Sequence, residues 1–182
     1  PINLIGGQPY AGSTRQMKIA SGYATDIFNG DVVKRAADGT VQKETGTATV
    51  TATGVIGVFV GVSYTDPNTE QKVFKQYYPA STVASDIMAY VVDDPDALFK
   101  VAVVSSGTTI AGTAYGSIGS NAALVQNTGS TTTGNSKVAI GSVNTTLSLP
   151  LRIVDVVHET EDSSGNYPEV IVKWNAPYEN SN

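Results

Sequence analysis

The chain has 182 residues, of which 41% are apolar and only 15% charged, and its formal net charge is −5. This length allows one hydrophobic core of ordinary size, so we expect a single main domain. The acidic balance argues against sequence-independent binding of DNA or RNA, which depends on lysine and arginine. Cysteine is absent, which excludes disulfides and zinc–thiolate sites. We also expect no membrane contact, because no apolar stretch reaches spanning length.

Glycine, threonine, serine and valine are abundant, and the apolar segments are short. This composition favours sheet over helix, and turn residues recur at the intervals seen in sandwiches and barrels. We therefore predict an all-β protein with a single antiparallel β-sandwich or barrel domain over residues 15–175. Residues 1–14 form an extended N-terminal arm and residues 176–182 a C-terminal tail in this interpretation. The N-terminus lacks the pattern of a signal peptide, so we expect synthesis in the cytoplasm.

The first predicted strands cover residues 15–20 and 31–36, and the Asp38-Gly39 pair that follows favours a tight hairpin. Residues 47–53 alternate between threonine and small apolar residues, which predicts a half-buried strand. Residues 54–64 are almost continuously apolar, so we expect a central strand buried on both faces. The glycines at positions 57 and 61 of that strand allow a neighbour to approach closely.

Strands are next predicted at residues 72–78, 86–93 and 97–105. The last two flank the turn Asp93-Asp94-Pro95-Asp96, and we expect them to pair as an antiparallel hairpin. The closing strands are predicted at residues 149–157 and 168–174. In the second of these, Val170, Val172 and Trp174 share one face, which we assign to the core.

Residues 105–148 form a glycine-rich and serine-rich region that we treat as an insertion with many loops. A single helical turn capped by Ser120 is predicted at residues 120–127. Residues 129–136, GSTTTGNS, match the phosphate-binding loop G-x-x-x-x-G-K-[ST] except that Asn135 replaces the lysine. Because a strand rather than a helix is predicted to follow, we interpret the segment as a surface loop without phosphate chemistry.

Few residues are arranged for catalysis or for metal binding. Asp93, Asp94 and Asp96 lie within four residues, but the glycine and distal glutamate of a calcium loop are missing. His158 is the only histidine, and no nucleophile elbow accompanies it. We therefore predict that the protein is not an enzyme and that it uses no catalytic residue, metal or cofactor.

The tyrosines are typical of a protein that makes contacts, because tyrosine supplies a large area with a polar tip. We assign Tyr64 and Tyr90 to the core. For Tyr10 in the N-terminal arm and Tyr178 in the C-terminal tail, an interface is at least as good an explanation as exposure to solvent.

Three segments resemble a family of tailed-bacteriophage virion proteins, the head decoration or capsid cement proteins. They cover residues 57–81, 86–104 and 150–175, and the most specific pieces are YYPA and DDPDALF. The pattern joins an apolar strand, an Asp-containing turn, an aromatic-Pro step and a closing Leu-Arg-Ile-Val strand. The resemblance implies a protein without enzymatic activity that binds the outside of an assembled capsid as a symmetric oligomer.

The expected partners are the major capsid protein and further copies of the chain, with a homotrimer favoured over a dimer and the capsid exterior as location. A phage host-recognition or carbohydrate-binding module of the virion is the alternative, because exposed tyrosines and Asp-rich turns also suit sugar binding. The residues predicted to contact the capsid or other subunits are Ile2, Leu4, Ile5, Tyr10, Tyr77, Tyr78 and Tyr178.

Overall fold

The computed structural model describes residues 1–4, 7–46, 54–105, 108–109, 115–160 and 168–175. Within these ranges the chain is all-β and has two short 3-10 turns but no α-helix, which confirms the predicted fold class. No helix in the described ranges is long and apolar enough to cross a membrane. The strands, in chain order, are β1 Asn3–Leu4, β2 Arg15–Lys18, β3 Val32–Arg35, β4 Val41–Lys43, β5 Val55–Thr65, β6 Lys72–Lys75, β7 Met88–Val92, β8 Ala97–Ala102, β9 Val104–Ser105, β10 Thr108–Thr109, β11 Asn121–Val125, β12 Ala139–Asn144, β13 Leu151–Val156 and β14 Glu169–Trp174.

Two antiparallel sheets form a sandwich-like arrangement. Sheet I has the strand order β2-β7-β5-β3-β4, and β6 adds to β5. Sheet II has the order β1-β8-β14-β13-β11-β12, while β9 and β10 form a small separate ribbon. Both sheets curl strongly, as bridges between their opposite edges show. Ile19, just after β2, bridges to Val41 of β4 in sheet I, and Val103, just after β8, bridges to Ile140 of β12 in sheet II.

β5 is the central strand of sheet I, as its apolar sequence predicts. It pairs with β3, β6 and β7, and most of its residues are buried. At Gly57 the neighbouring backbone is so close that an added Cβ would lie 2.1 Å from the Val92 carbonyl oxygen. Glycine is therefore required there by the close approach of β7.

The hydrophobic side chains form two groups. The first, the inner core, lies on one face of sheet I under the segments around Ile27, Tyr78 and Ile87. Its members are Ile19, Ile27, Val33, Val41, Ile56, Phe59, Val62, Tyr64, Tyr78, Ile87, Ala89 and Val91. The second, the intersheet core, joins Val32, Val55 and Val92 of sheet I to the inward residues of sheet II. Sheet I is thus buried on both faces and sheet II mainly on one.

The Asp38-Gly39 hairpin is confirmed: it connects β3 to β4, and Ala36 N–H donates to the Thr40 carbonyl at 2.8 Å. The closing strands β13 and β14 are also confirmed as an antiparallel pair. Val170, Val172 and Trp174 face the core as predicted. The alternating segment 47–53 lies outside the described residues.

The predicted hairpin of residues 86–93 with 97–105 is wrong. β7 lies between β2 and β5 in sheet I, so both of its edges are already paired. β8 instead pairs with β14 and β1 in sheet II. The Asp93–Asp96 turn therefore carries the chain from one sheet to the other.

The helical turn predicted at residues 120–127 is also wrong, since residues 121–125 form β11. β11 pairs with β12 and β13, and Ala122 and Leu124 point into the intersheet core. Pairing along both edges outweighs the moderate helix preference of alanine and leucine. Residues 105–148 supply β11 and β12 to sheet II.

Candidate interaction surface

Residues 129–136, which we call the junction loop, connect β11 to β12 and bind the segment that leads into β3. Asn29 N–H donates to the Gly134 carbonyl at 3.0 Å, and Ser136 N–H donates to the Asn29 carbonyl at 2.9 Å. Gln76 Nε2 donates to Asn135 Oδ1 at 2.5 Å. Asn135, which stands where a phosphate-binding loop has its lysine, therefore makes a hydrogen bond within the fold. The junction loop therefore ties sheet II to sheet I.

A buried carboxylate adds to this connection between the two sheets. Asp31 is fully buried, and its Oδ2 accepts hydrogen bonds from Phe28 N–H and from Lys43 Nζ, each at 2.8 Å. Its Oδ1 accepts from Ser136 Oγ at 2.5 Å. Since a buried charge is tolerated only when it is paired and hydrogen-bonded, this arrangement is structural.

Aromatic packing lies beside the junction loop. The rings of Phe28 and Tyr77 stack with centroids 5.5 Å apart. Gly129 packs so closely on Phe28 that an added Cβ would lie 2.3 Å from the ring. Tyr77, a predicted contact residue, is thus half-buried at the junction.

Tyr78, also predicted to contact a partner, has no exposed area, and we correct that prediction. Its hydroxyl donates to the Tyr23 carbonyl at 3.0 Å, and its backbone pairs with Ile27. Burial raises the pKa of Tyr78 above its ordinary value. The aromatic-Pro step therefore places Tyr77 at the junction and buries Tyr78.

The N-terminal arm is partly attached to its own chain. Asn3 and Leu4 pair with Leu98 and Ala97 of β8, while Ile2 stays 39% exposed. Tyr10 packs against the intersheet core and donates its hydroxyl to the Ser13 carbonyl. The side chain of Leu4, and Ile5 and Tyr178 altogether, lie outside the described residues.

The aspartates of the turn at 93–96 have structural partners. Asp93 forms an ion pair with Arg15 on β2, and Asp94 Oδ1 accepts from Asp96 N–H at 2.8 Å. Burial, together with the charges of Asp94 and Asp93, raises the pKa of Tyr10. Among the described residues, no group of three or more histidine, aspartate or glutamate side chains is placed to hold a metal ion.

His158 begins the 3-10 turn His158–Thr160 directly after β13 and is exposed, as expected for a histidine at a strand end. Asp86 precedes β7 and joins β6 to β5. The Lys72 ammonium at 2.8 Å and the backbone N–H and hydroxyl of Thr65 hold the pKa of Asp86 far below its usual range. This ion pair fixes the position of the short outer strand β6.

Three large apolar side chains that the sequence reasoning did not single out are strongly exposed. Leu147 is 84% exposed in the turn between β12 and β13, Phe74 is 71% exposed on β6, and Val83 is 64% exposed before β7. The sequence signal that could have identified them is an apolar residue inside a polar connection, such as Leu147 in NTTLSLP, or on the outward side of a short strand, such as Phe74. Because these side chains lie on separate elements, they give the surface several points for contact.

Comparison with known proteins identifies no relative: no family model, no curated protein and no solved structure matches this chain.

Proposed function

We propose that this protein works by surface contact and carries out no chemistry of its own. The observation that supports this is that several of its charged and hydroxyl side chains form ion pairs and hydrogen bonds with one another within the fold. Asp31 binds Lys43 and Ser136, Asp93 binds Arg15, and Asp86 binds Lys72. The large apolar side chains Leu147, Phe74 and Val83 are left exposed instead.

The setting we propose is the outer surface of a bacteriophage capsid, which the protein stabilises as a symmetric oligomer, with a homotrimer favoured over a dimer. The resemblance of residues 57–81, 86–104 and 150–175 to capsid cement proteins is the basis for this setting. The net charge of −5 also suits an exterior position better than one facing DNA.

A cement protein stabilises a shell through several modest contacts made at once. When contacts are linked in one oligomer, the second and third form at a high effective concentration, so dissociation requires their simultaneous release. Contact points on separate elements, such as Leu147, Phe74 and Ile2, fit this mode better than a single deep site. Tyr10 and Tyr77 are half-buried and contribute at most their exposed edges.

The test is to mix the purified protein with capsids that lack it and to image the particles. Regular density on the lattice and a higher capsid disruption temperature are the expected results, and native mass gives the oligomer. L147D should weaken decoration by about tenfold, because it places a charge in an apolar contact. T131A, at an exposed position of the junction loop, is the matched control and should decorate normally.

Absence of density from every shell would overturn this proposal. Density at the tail in few copies, with retained binding to host surface sugars, would support the host-recognition alternative instead.

A further inference from the structure

Asp31 and Lys43 form the most enclosed ion pair among the described residues. The Asp31 side chain has no exposed area, the Lys43 side chain is 11% exposed, and Lys43 Nζ lies 2.8 Å from Asp31 Oδ2. In every other ion pair of these residues, at least one side chain is 23% exposed or more. The buried Phe28 ring lies beside the amine, with its centroid 5.5 Å from Lys43 Nζ. Water is therefore largely excluded from this pair.

Backbone pairing holds the two side chains against each other. Lys43 on β4 is the register partner of Val33 on β3, and Asp31 stands two residues before Val33. Phe59 N–H donates to the Asp31 carbonyl at 2.9 Å, which fixes the main chain at Asp31. The carboxyl group and the amine are therefore in place before any reaction between them begins.

Each oxygen of the Asp31 carboxylate also has a hydrogen-bond donor. Ser136 Oγ donates to Oδ1 at 2.5 Å, and Phe28 N–H donates to Oδ2 at 2.8 Å. Donors that are fixed beforehand stabilise negative charge as it develops on an oxygen. Reacting atoms about 3–3.5 Å apart are in a near-attack arrangement, and a nitrogen 2.8 Å from Oδ2 is close to that distance from the carboxyl carbon.

We propose that Asp31 and Lys43 condense in the folded chain to form an isopeptide bond. Where water is excluded, an ammonium and a carboxylate lose the hydration that favours their charged forms, so the Lys43 proton passes to Oδ2 along their hydrogen bond. The neutral amine then attacks the carboxyl carbon of Asp31 as a nucleophile. Negative charge moves to Oδ1, where the Ser136 hydroxyl stabilises it.

The reaction balances without any further reactant. The amine nitrogen gives a second proton to Oδ2, the bond between the carboxyl carbon and Oδ2 breaks, and Oδ2 leaves as water. The new amide joins Lys43 Nζ to the Asp31 carboxyl carbon. Oδ1 becomes the carbonyl oxygen of this amide and still accepts from Ser136. Nothing is oxidised or reduced.

The product is a covalent link across the β3–β4 hairpin. It replaces a buried ion pair by a neutral amide, which removes the cost of burying two charges. It also closes a loop between residues 31 and 43 and so restricts the unfolded chain. The link forms once, within the chain, and acts on no other molecule, so the surface function proposed above does not depend on it.

Mass spectrometry of the intact, denatured protein tests the bond. We expect a mass that is lower by one water than the sequence requires. K43R keeps a cation beside Asp31 but has no amine to acylate, so it should have its full mass. K34R makes the same change at the lysine that pairs with Glu44 and should lose the water as the unaltered protein does. A full mass for the unaltered protein would overturn the proposal.

Tryptic digestion locates the bond. Trypsin does not cleave after an acylated lysine, so residues 19–34 and 36–72 should appear together as one branched peptide. The Asp38-Gly39 pair can also lose water, by forming a cyclic imide, but that ring reopens in mild alkali whereas the isopeptide bond does not. Return of the full mass in mild alkali, or loss of water in K43R, would assign the change to such a ring and overturn the isopeptide bond.

Removal of the Ser136 hydroxyl tests how the bond forms. S136A should form it about a hundredfold more slowly, because this is the usual effect of losing one donor to the developing negative charge. Its mass should therefore still be falling after purification, when T131A in the same junction loop has already lost its water. Circular dichroism checks that K43R and S136A are folded. Equal rates for S136A and T131A would overturn the part assigned to Ser136.

Discussion

The two hydrophobic cores differ in how completely they are filled. In the inner core Phe59, Tyr78 and Ile87 have no exposed area, and Tyr78 also places its hydroxyl on a carbonyl. The intersheet core contains similar residue types, yet it borders a cavity of about 290 Å³, and the Trp174 indole N–H has no acceptor among the residues that the structure describes. The intersheet core is therefore the less completely filled of the two.

The largest effect should follow from breaking the filled core. F59A removes a fully buried ring from β5 and should lower the free energy of unfolding by about 3–5 kcal/mol. Urea denaturation followed by circular dichroism and Trp174 fluorescence measures it. V83A, at an exposed position, should stay within about 0.5 kcal/mol of the unaltered protein. A loss below 1 kcal/mol for F59A would mean that the inner core is not closely packed.

The connection between the two sheets should be the next most sensitive feature. S136A leaves one oxygen of the fully buried Asp31 without its hydrogen bond, so we expect a loss of about 1–3 kcal/mol in unfolding free energy. T131A, in the exposed part of the same junction loop, is the control and should be near neutral. Equal stability of the two variants would show that the Ser136–Asp31 bond contributes nothing.

Adding one methylene to each core compares them directly. V62I enlarges a side chain that is 1% exposed in the inner core, and overpacking there should cost about 1–3 kcal/mol. V58I projects the same methylene toward the cavity and should be neutral or raise the unfolding free energy by up to about 1 kcal/mol. Thermal unfolding of both variants gives the sign. Destabilisation of the same size in both would contradict the difference between the cores.

The smallest effect concerns the outer strand β6 and depends on pH. The pKa of Asp86 is lowered in the folded chain, so its ion pair with Lys72 stabilises the fold above about pH 4, the ordinary range for aspartate. That contribution is lost as pH falls below 4, because the unfolded chain then binds the proton more readily. D86N should be less stable at pH 7 and lose less stability between pH 5 and pH 2.

Urea midpoints across this pH range provide the measurement for Asp86. D96N removes one negative charge from an exposed turn and serves as the control. Parallel stability curves for D86N and the unaltered protein would refute the role of the ion pair.

Patterns within a single strand were predictable because they depend on local side-chain alternation. The apolar run of β5 identified the central strand, and the alternation of β14 identified its inward face. Interaction sites were less predictable. Tyr77 and Tyr78 have the same side chain, but only contacts distant in sequence decide that one stacks on Phe28 and the other is enclosed.

By itself the sequence determined that this is an all-β protein, where most of its strands lie and that GSTTTGNS is a loop without a phosphate-binding lysine. Only the tertiary structure decided which strands become neighbours. The backbone edges of β7 were occupied by β2 and β5, so β8 joined the other sheet despite a short connection. Every strand offers the same backbone hydrogen bonds, and the choice among partners is therefore made by packing between residues far apart in the chain.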